Sequence, residues 1–164
     1  MNTNTATKIA LPESESVWDY PRPPRIERID WPLKVVHDGR VVARTENGLR
    51  VLETSHPPCF YFPPEDVDFD LLEPSDSRTF CEWKGQARYW NIQGRNGPIK
   101  DACWAYPDPV DRSIADCVSF YARRVDECFV AGERVEPQEG DFYGGWITSW
   151  VRGPFKGGPG TRGW

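Results

Sequence analysis

Lys34-Val35-Val36-His37-Asp38-Gly39-Arg40-Val41-Val42-Ala43 (KVVHDGRVVA) sets two β-branched runs on either side of an Asp-Gly pair. Asp-Gly accepts the positive φ that a two-residue hairpin loop demands at both central positions. The stretch therefore reads as an antiparallel hairpin, and the same grammar extends outward from it. Asn47-Gly48 precedes Leu49–Thr54 (LRVLET) and predicts a second hairpin. Cys59-Phe60-Tyr61-Phe62 is a short strand bracketed by Pro57-Pro58 and Pro63-Pro64. Residues 88–93 and 99–106 give two more strands, with Gly94-Arg95-Asn96-Gly97 between them. Residues 118–121 and 127–130 return to strand, the last closed by Ala131-Gly132-Glu133. Upstream, Trp18–Pro24 (WDYPRPP) must be extended, because proline fixes φ and restricts the residue before it. One short helix is expected, with Asp108 as cap, Pro109 in the first helical position, and an end near Asp116. Short strands separated by frequent turn signals predict a mainly β domain, sandwich or barrel-like. Strands and helices do not alternate, which argues against a doubly wound sheet and its nucleotide crevice.

At 164 residues the length suits one domain. Residues 1–16 (MNTNTATKIALPESES) are small, polar and without period, and are expected to form a disordered N-terminal tail. The domain proper is expected over 17–139. Residues 140–164 are rich in glycine and aromatics and read as a C-terminal extension. Its tryptophans, Trp146, Trp150 and Trp164, can dock on the domain itself, on a second copy in a homodimer, or on another protein.

The net charge is −5, with acidic and basic residues interleaved and no basic stripe. Duplex nucleic acid is a poor partner on those grounds. No apolar run is long enough to cross a bilayer, and the N-terminus lacks a charged-then-apolar signal pattern, so the expectation is a soluble, cytoplasmic protein with no membrane partner. Five cysteines, Cys59, Cys81, Cys103, Cys117 and Cys128, make an odd count without any C-x-x-C pair. With only two histidines, His37 and His56, the chain is read as holding reduced thiols and no metal.

Chemistry concentrates in Thr79–Trp90 (TFCEWKGQARYW). Trp83-Lys84-Gly85 can form a tight turn in which Gly85 supplies positive φ and Lys84 stands at a sheet rim. Lys84 there either faces solvent, pairs with an inward carboxylate, or holds an anionic ligand. Glu53 shares the strand face of Leu49 and Val51, so it is either that inward carboxylate or is turned outward by a bulge. Cys81 is either a buried structural thiol or a nucleophile activated by a neighbouring cation. Tyr61, Trp83, Tyr89, Trp104 and Tyr106 form an aromatic set, with Trp104, Tyr106 and Ala102 on one strand face. Such rings make either a bulky core or the wall of a pocket for a flat or cationic small molecule. The Gly153–Thr161 run lacks the order of a phosphate loop and reads as a flexible tail. The acidic Glu65–Asp70 segment lacks calcium-loop spacing.

WDYPRPPRIE, RVLETSHPP, FYFPPEDV, LLEPSDSRTFCEWKG, ARYW and CWAYPDP, in this order, resemble a bacterial family known as domain of unknown function 427, some of whose members carry a nucleotidyltransferase label. The similarity covers about residues 17–131. It implies a β-tent fold, a small single domain of short antiparallel strands. Relatives of that shape bind small ligands in an aromatic-walled cleft, and many hold zinc through paired C-x-x-C motifs that this chain lacks. Positions matching the family pattern include Glu53, Tyr61, Thr79, Cys81, Lys84, Gly85, Tyr89, Trp104 and Tyr106, while Glu82 stands where proline is common. Three functions compete. The first is binding of a small molecule of unknown identity, with Lys84 and Glu53 as polar anchors. The second is an enzyme using Cys81 or Lys84, with Glu53 as base, for which no paired carboxylates supply a metal. The third is an interaction scaffold. No pattern names a cofactor.

Overall fold

The computed structural model describes residues 10–164. Residues 1–9 of the expected N-terminal tail lie outside them. The described chain is mainly β, with 3-10 turns of three residues as its only helical elements. The strands run β1 (Glu15–Ser16), β2 (Arg25–Arg28), β3 (Leu33–His37), β4 (Arg40–Thr45) and β5 (Leu49–Leu52). Next come β6 (Cys59–Tyr61), β7 (Leu72–Cys81), β8 (Gly85–Ile92), β9 (Ile99–Ala105) and β10 (Val118–Phe120). The chain closes with β11 (Glu127–Val130), β12 (Glu133–Arg134), β13 (Glu136–Pro137), β14 (Trp146–Ile147) and β15 (Val151–Arg152).

Three antiparallel sheets carry the architecture, in the orders β10-β9-β8-β7, β12-β11-β3-β4 and β2-β5-β6. Two strand pairs, β13-β14 and the parallel β1-β15, attach the chain ends. The β3–β4 hairpin forms as the Asp-Gly pair dictates, with Asp38 at φ 51° and Gly39 at φ 73°.

Asn47-Gly48 behaves differently from its expectation. β4 pairs with β3, whereas β5 pairs with β2 and β6, so this turn passes the chain between sheets. Gly48 serves close approach: a Cβ there would overlap the Leu33 side chain. The helix expected from Asp108 shrinks to one 3-10 turn, Arg112–Ile114, capped by Asp111, whose Oδ1 accepts from Ser113 N at 2.9 Å. The backbone ahead of it is tied to the β7–β8 turn, since Val110 N donates to Lys84 O at 3.3 Å.

β9 divides the interior in two. Cys103 and Ala105 face the main core with Phe60, Phe62, Phe120 and Trp146. Trp104 and Tyr106 face a second, aromatic cluster with Tyr61, Tyr89 and Tyr121. Ala102 sides with the main core rather than with Trp104. The β8–β9 register shifts between Trp90 and Ile92, and Asp101 has φ 50°, so strict alternation breaks there.

Both ends of the described chain join the body. Glu15 and Ser16, placed by composition in the disordered tail, pair with Val151 and Arg152. Trp146 is fully buried, and its Nε1 donates to Phe120 O at 2.8 Å. Trp150 packs edge-on to Trp31 at 5.4 Å, and Trp164 to Trp18 at 5.2 Å. All three extension tryptophans therefore contact their own domain.

Candidate functional site

The aromatic face of the β10-β9-β8-β7 sheet borders an open cavity of about 310 Å³. The β7–β8 turn supplies its rim. Gly85 takes φ 106° there, which lets the strand reverse and leaves Cys81, Trp83 and Lys84 at the cavity edge. β5 and β6 form the facing wall with Val51 and Tyr61, followed in the chain by Glu53 just beyond β5. Glu53, Tyr61, Cys81, Trp83, Lys84, Tyr89, Trp104 and Tyr106, all singled out in the sequence, border this one space.

Their environments differ. Tyr61 is fully buried, and Tyr89, Trp104 and Tyr106 are nearly so, while Trp83 is 39% exposed at the mouth. Trp104 Nε1 donates to the Tyr61 hydroxyl at 3.3 Å, and Thr79 Oγ1 and the Tyr89 hydroxyl lie 2.8 Å apart. The polar tips of Tyr61, Trp104 and Tyr89 are thus paired, as buried phenols and indoles require. Burial holds the Tyr61, Tyr106 and Tyr121 hydroxyls well above the ordinary phenol range, so they remain protonated donors.

Charge is arranged otherwise than the pairing of Lys84 with Glu53 would have it. Glu53 faces inward, with its side chain 17% exposed, but its partner is Arg22, with Nε 3.5 Å from the carboxylate. Among the described residues, the half-buried Lys84 ammonium makes no ion pair. The reason is geometric: the WDYPRPP segment lies against the end of β5, where Thr54 N bonds Pro21 O at 3.2 Å, and so delivers Arg22 first.

Several cavity residues escaped the sequence reading. Tyr121 packs on Trp104 with ring centroids 4.6 Å apart. Gln138, Phe142, Tyr143, Gly144 and Lys156 come from beyond β12 and complete the wall. Gln138 is 2% exposed and ties this segment together, accepting from Gly145 N at 3.0 Å and donating to Lys156 O at 2.6 Å. Gly144 lies so close to Trp104 that any Cβ would overlap the indole. A Gly-Gly pair beside a tryptophan was the available signal, but no periodicity marked it.

His56, in the rigid Ser-His-Pro-Pro turn, stands edge-on to Tyr143 at 5.1 Å. Burial, together with the charges of Lys156, Lys84 and Arg22, pushes its pKa down to about 4. The ring is neutral at pH 7. Burial pushes the Cys59 thiol up to about 11 against the opposing pull of Lys84. Among the described residues, the only group of three side chains spaced to hold a metal is His37, Asp38 and Asp126. That group is not part of the cavity wall. His37 Nδ1 already accepts from Asp126 N at 3.2 Å, and Asp38 Oδ2 accepts from Arg95 N at 2.6 Å.

Fold and site together define a small β-rich protein with an aromatic, cation-edged cavity. The family described as Domain of unknown function (DUF427) matches residues 25–131, and the chain belongs to it. No curated protein matches the chain.

Proposed function

We propose that this protein binds a flat small molecule in the cavity bounded by Trp83, Tyr89, Trp104 and Tyr106. The observation that supports it is an open space of about 310 Å³ among rings drawn from separate strands, where a core would be closed. The volume suits a ligand of one or two fused rings. Trp83 stands partly exposed at the mouth, and Trp104, fixed by Tyr61, offers a preorganised face. The test is thermal-shift and calorimetric screening against nucleobases, nucleosides, indoles and cyclic imides, with Trp104→Leu as the control. A ligand at ten times its Kd raises stability by about 1.4 kcal/mol. Failure of every planar class to shift the folded protein would refute the reading.

A second reading is catalysis by Cys81. Cys81 borders the cavity and is partly exposed, whereas Cys103 and Cys128 are buried with thiols pushed far up. Rapid alkylation of Cys81 by iodoacetamide at pH 6 would favour a thiolate nucleophile. Slow alkylation there would leave binding alone.

A further inference from the structure

We infer that the ligand carries an anionic group, seated between Lys84 of the β7–β8 turn and Lys156 of the C-terminal segment, so that residues outside the family match choose the ligand. This rests on the aromatic-cavity reading and names the chemical class it takes: a planar ring bearing a carboxylate or phosphate.

The charge balance of the wall carries the argument. Lys84 and Lys156 both border the cavity. Lys84 has no ionic partner among the described residues. Among the described residues, the Lys156 ammonium makes a 3.5 Å contact to Trp164 O and lies 5.2 Å over the Tyr143 ring. Of the cavity's carboxylates, Glu53 is held by Arg22 and Glu82 is exposed at the rim. A cationic ligand would meet two ammonium groups with no unpaired carboxylate beyond the hydrated rim. An anion would meet both with little competition. His56, held neutral chiefly by burial and secondarily by these cations, stands beside them as an uncharged hydrogen-bond partner.

Lys156 is placed by its backbone rather than by chance. Its N–H donates to Ser55 O at 2.8 Å and its carbonyl accepts from the buried Gln138 amide. The family match ends at residue 131. The second cation, the Tyr143 wall and the Gly144 contact with Trp104 therefore come from the extension beyond the family match. The extension acts as a selectivity element on a shared aromatic floor.

Three probes with one ring test this: indole-3-acetate, indole-3-acetamide and tryptamine, titrated calorimetrically into the full chain. The Trp104 Nε1–H resonance locates binding. The acetate should bind about tenfold tighter than the amide, as a charge-assisted contact provides, and tryptamine weakest. Lys84→Gln and Lys156→Gln, each verified as folded by its melting curve, should each reduce the acetate preference several-fold by weakening the acetate more than the amide. An acetate no tighter than the amide, or a preference surviving in both variants, overturns the anion site while the aromatic pocket stands. If none of the three moves the Trp104 resonance, the inference falls, while the cavity reading falls only if the wider screen of planar classes is silent as well.

Discussion

Trp104 and Tyr61 meet edge to face, ring centroids 6.3 Å apart, with the indole Nε1 donating to the phenol oxygen at 3.3 Å. One residue comes from β9 and the other from β6, so this contact joins two sheets at the cavity floor. Tyr61→Phe keeps the ring and removes the acceptor. A buried N–H left without a partner costs about 1–3 kcal/mol. A lower urea midpoint with an unchanged slope is the expected result, and equal midpoints would show that Trp104 finds another acceptor.

Arg50 organises the opposite side of β5. It is 3% exposed, holds Glu27 at 2.8 Å and Glu15 at 2.7 Å, and lies 4.9 Å over the Trp31 ring. Burial raises the Glu15 carboxyl, but hydrogen bonds from Arg50 and Tyr20 outweigh it, and the net shift is downward from 4.5. A depressed carboxyl contributes stability above its unfolded pKa and loses it as pH falls toward the folded value. Stability should thus decline below about pH 4.5, and less so in Glu15→Gln. Arg50→Met removes the shared partner and should cost about 3 kcal/mol at pH 7. That is the low end for a broken buried pair, because the Glu15 and Glu27 side chains keep 22% and 28% of their surface exposed. Urea titrations at pH 7 and pH 3.5 read both effects.

His56 governs a separate window. Its folded pKa of about 4 lies below the ordinary 6.5, so the unfolded chain takes up a proton first as pH falls. Stability associated with this ring is complete above pH 6.5 and drains away between 6.5 and 4. Proton NMR should give a His56 midpoint near 4. Burial is the main cause of the depression and Lys156 and Lys84 add to it, so Lys156→Gln and Lys84→Gln should each raise the midpoint part of the way, with burial and Arg22 sustaining the remainder. A midpoint near 6.5 in the native protein would contradict this burial and field.

The local strands and the aromatic floor were legible in the sequence because they depend on short-range patterns. KVVHDGRVVA makes its own turn, and TFCEWKGQARYW folds back at Gly85, so side-chain alternation on β8 and β9 places Tyr89, Trp104 and Tyr106 together. The illegible parts depend on distant partners. Asn47-Gly48 has hairpin chemistry, but strand pairing across sheets decided its path. Ala102 was misplaced because a bulge is invisible to a period of two. Arg22, not Lys84, reaches Glu53 because the proline-rich segment, expected to be extended throughout, instead opens with a 3-10 turn at Val17–Asp19 and bends against the end of β5. The extension was unreadable because β14 and β15 have two residues each, too few for any periodicity.

The extension nonetheless belongs to the core. Trp146 is fully buried against Phe60, ring centroids 5.4 Å apart, and against Phe62 at 6.1 Å. Trp146→Ala should cost about 3–5 kcal/mol through the cavity it leaves and the hydrogen bond lost to Phe120 O. Deleting residues 140–164 should be worse, exposing the main core to water. Unfolding curves of both variants decide this. A truncated chain as stable as the full one would make the extension an accessory.

Gly144 offers the sharpest separation of fold from site. Its missing side chain is what permits the C-terminal segment to lie against the Trp104 ring, since a Cβ would overlap Cη2 and Cζ3 and stand 3.3 Å from Tyr121 Cδ1. Gly144→Ala must therefore push either the indole into the cavity or the segment away from it. Overpacking of this kind costs about 1–3 kcal/mol. Either movement reshapes the ring face or withdraws the Tyr143 wall, so binding of a planar probe should weaken by more than stability loss explains. The check is calorimetric affinity for a planar acid beside the urea midpoint, with Trp146→Phe as a comparison that perturbs the core and spares the cavity. Equal affinity in Gly144→Ala and the unaltered chain would mean that the extension does not shape the binding face.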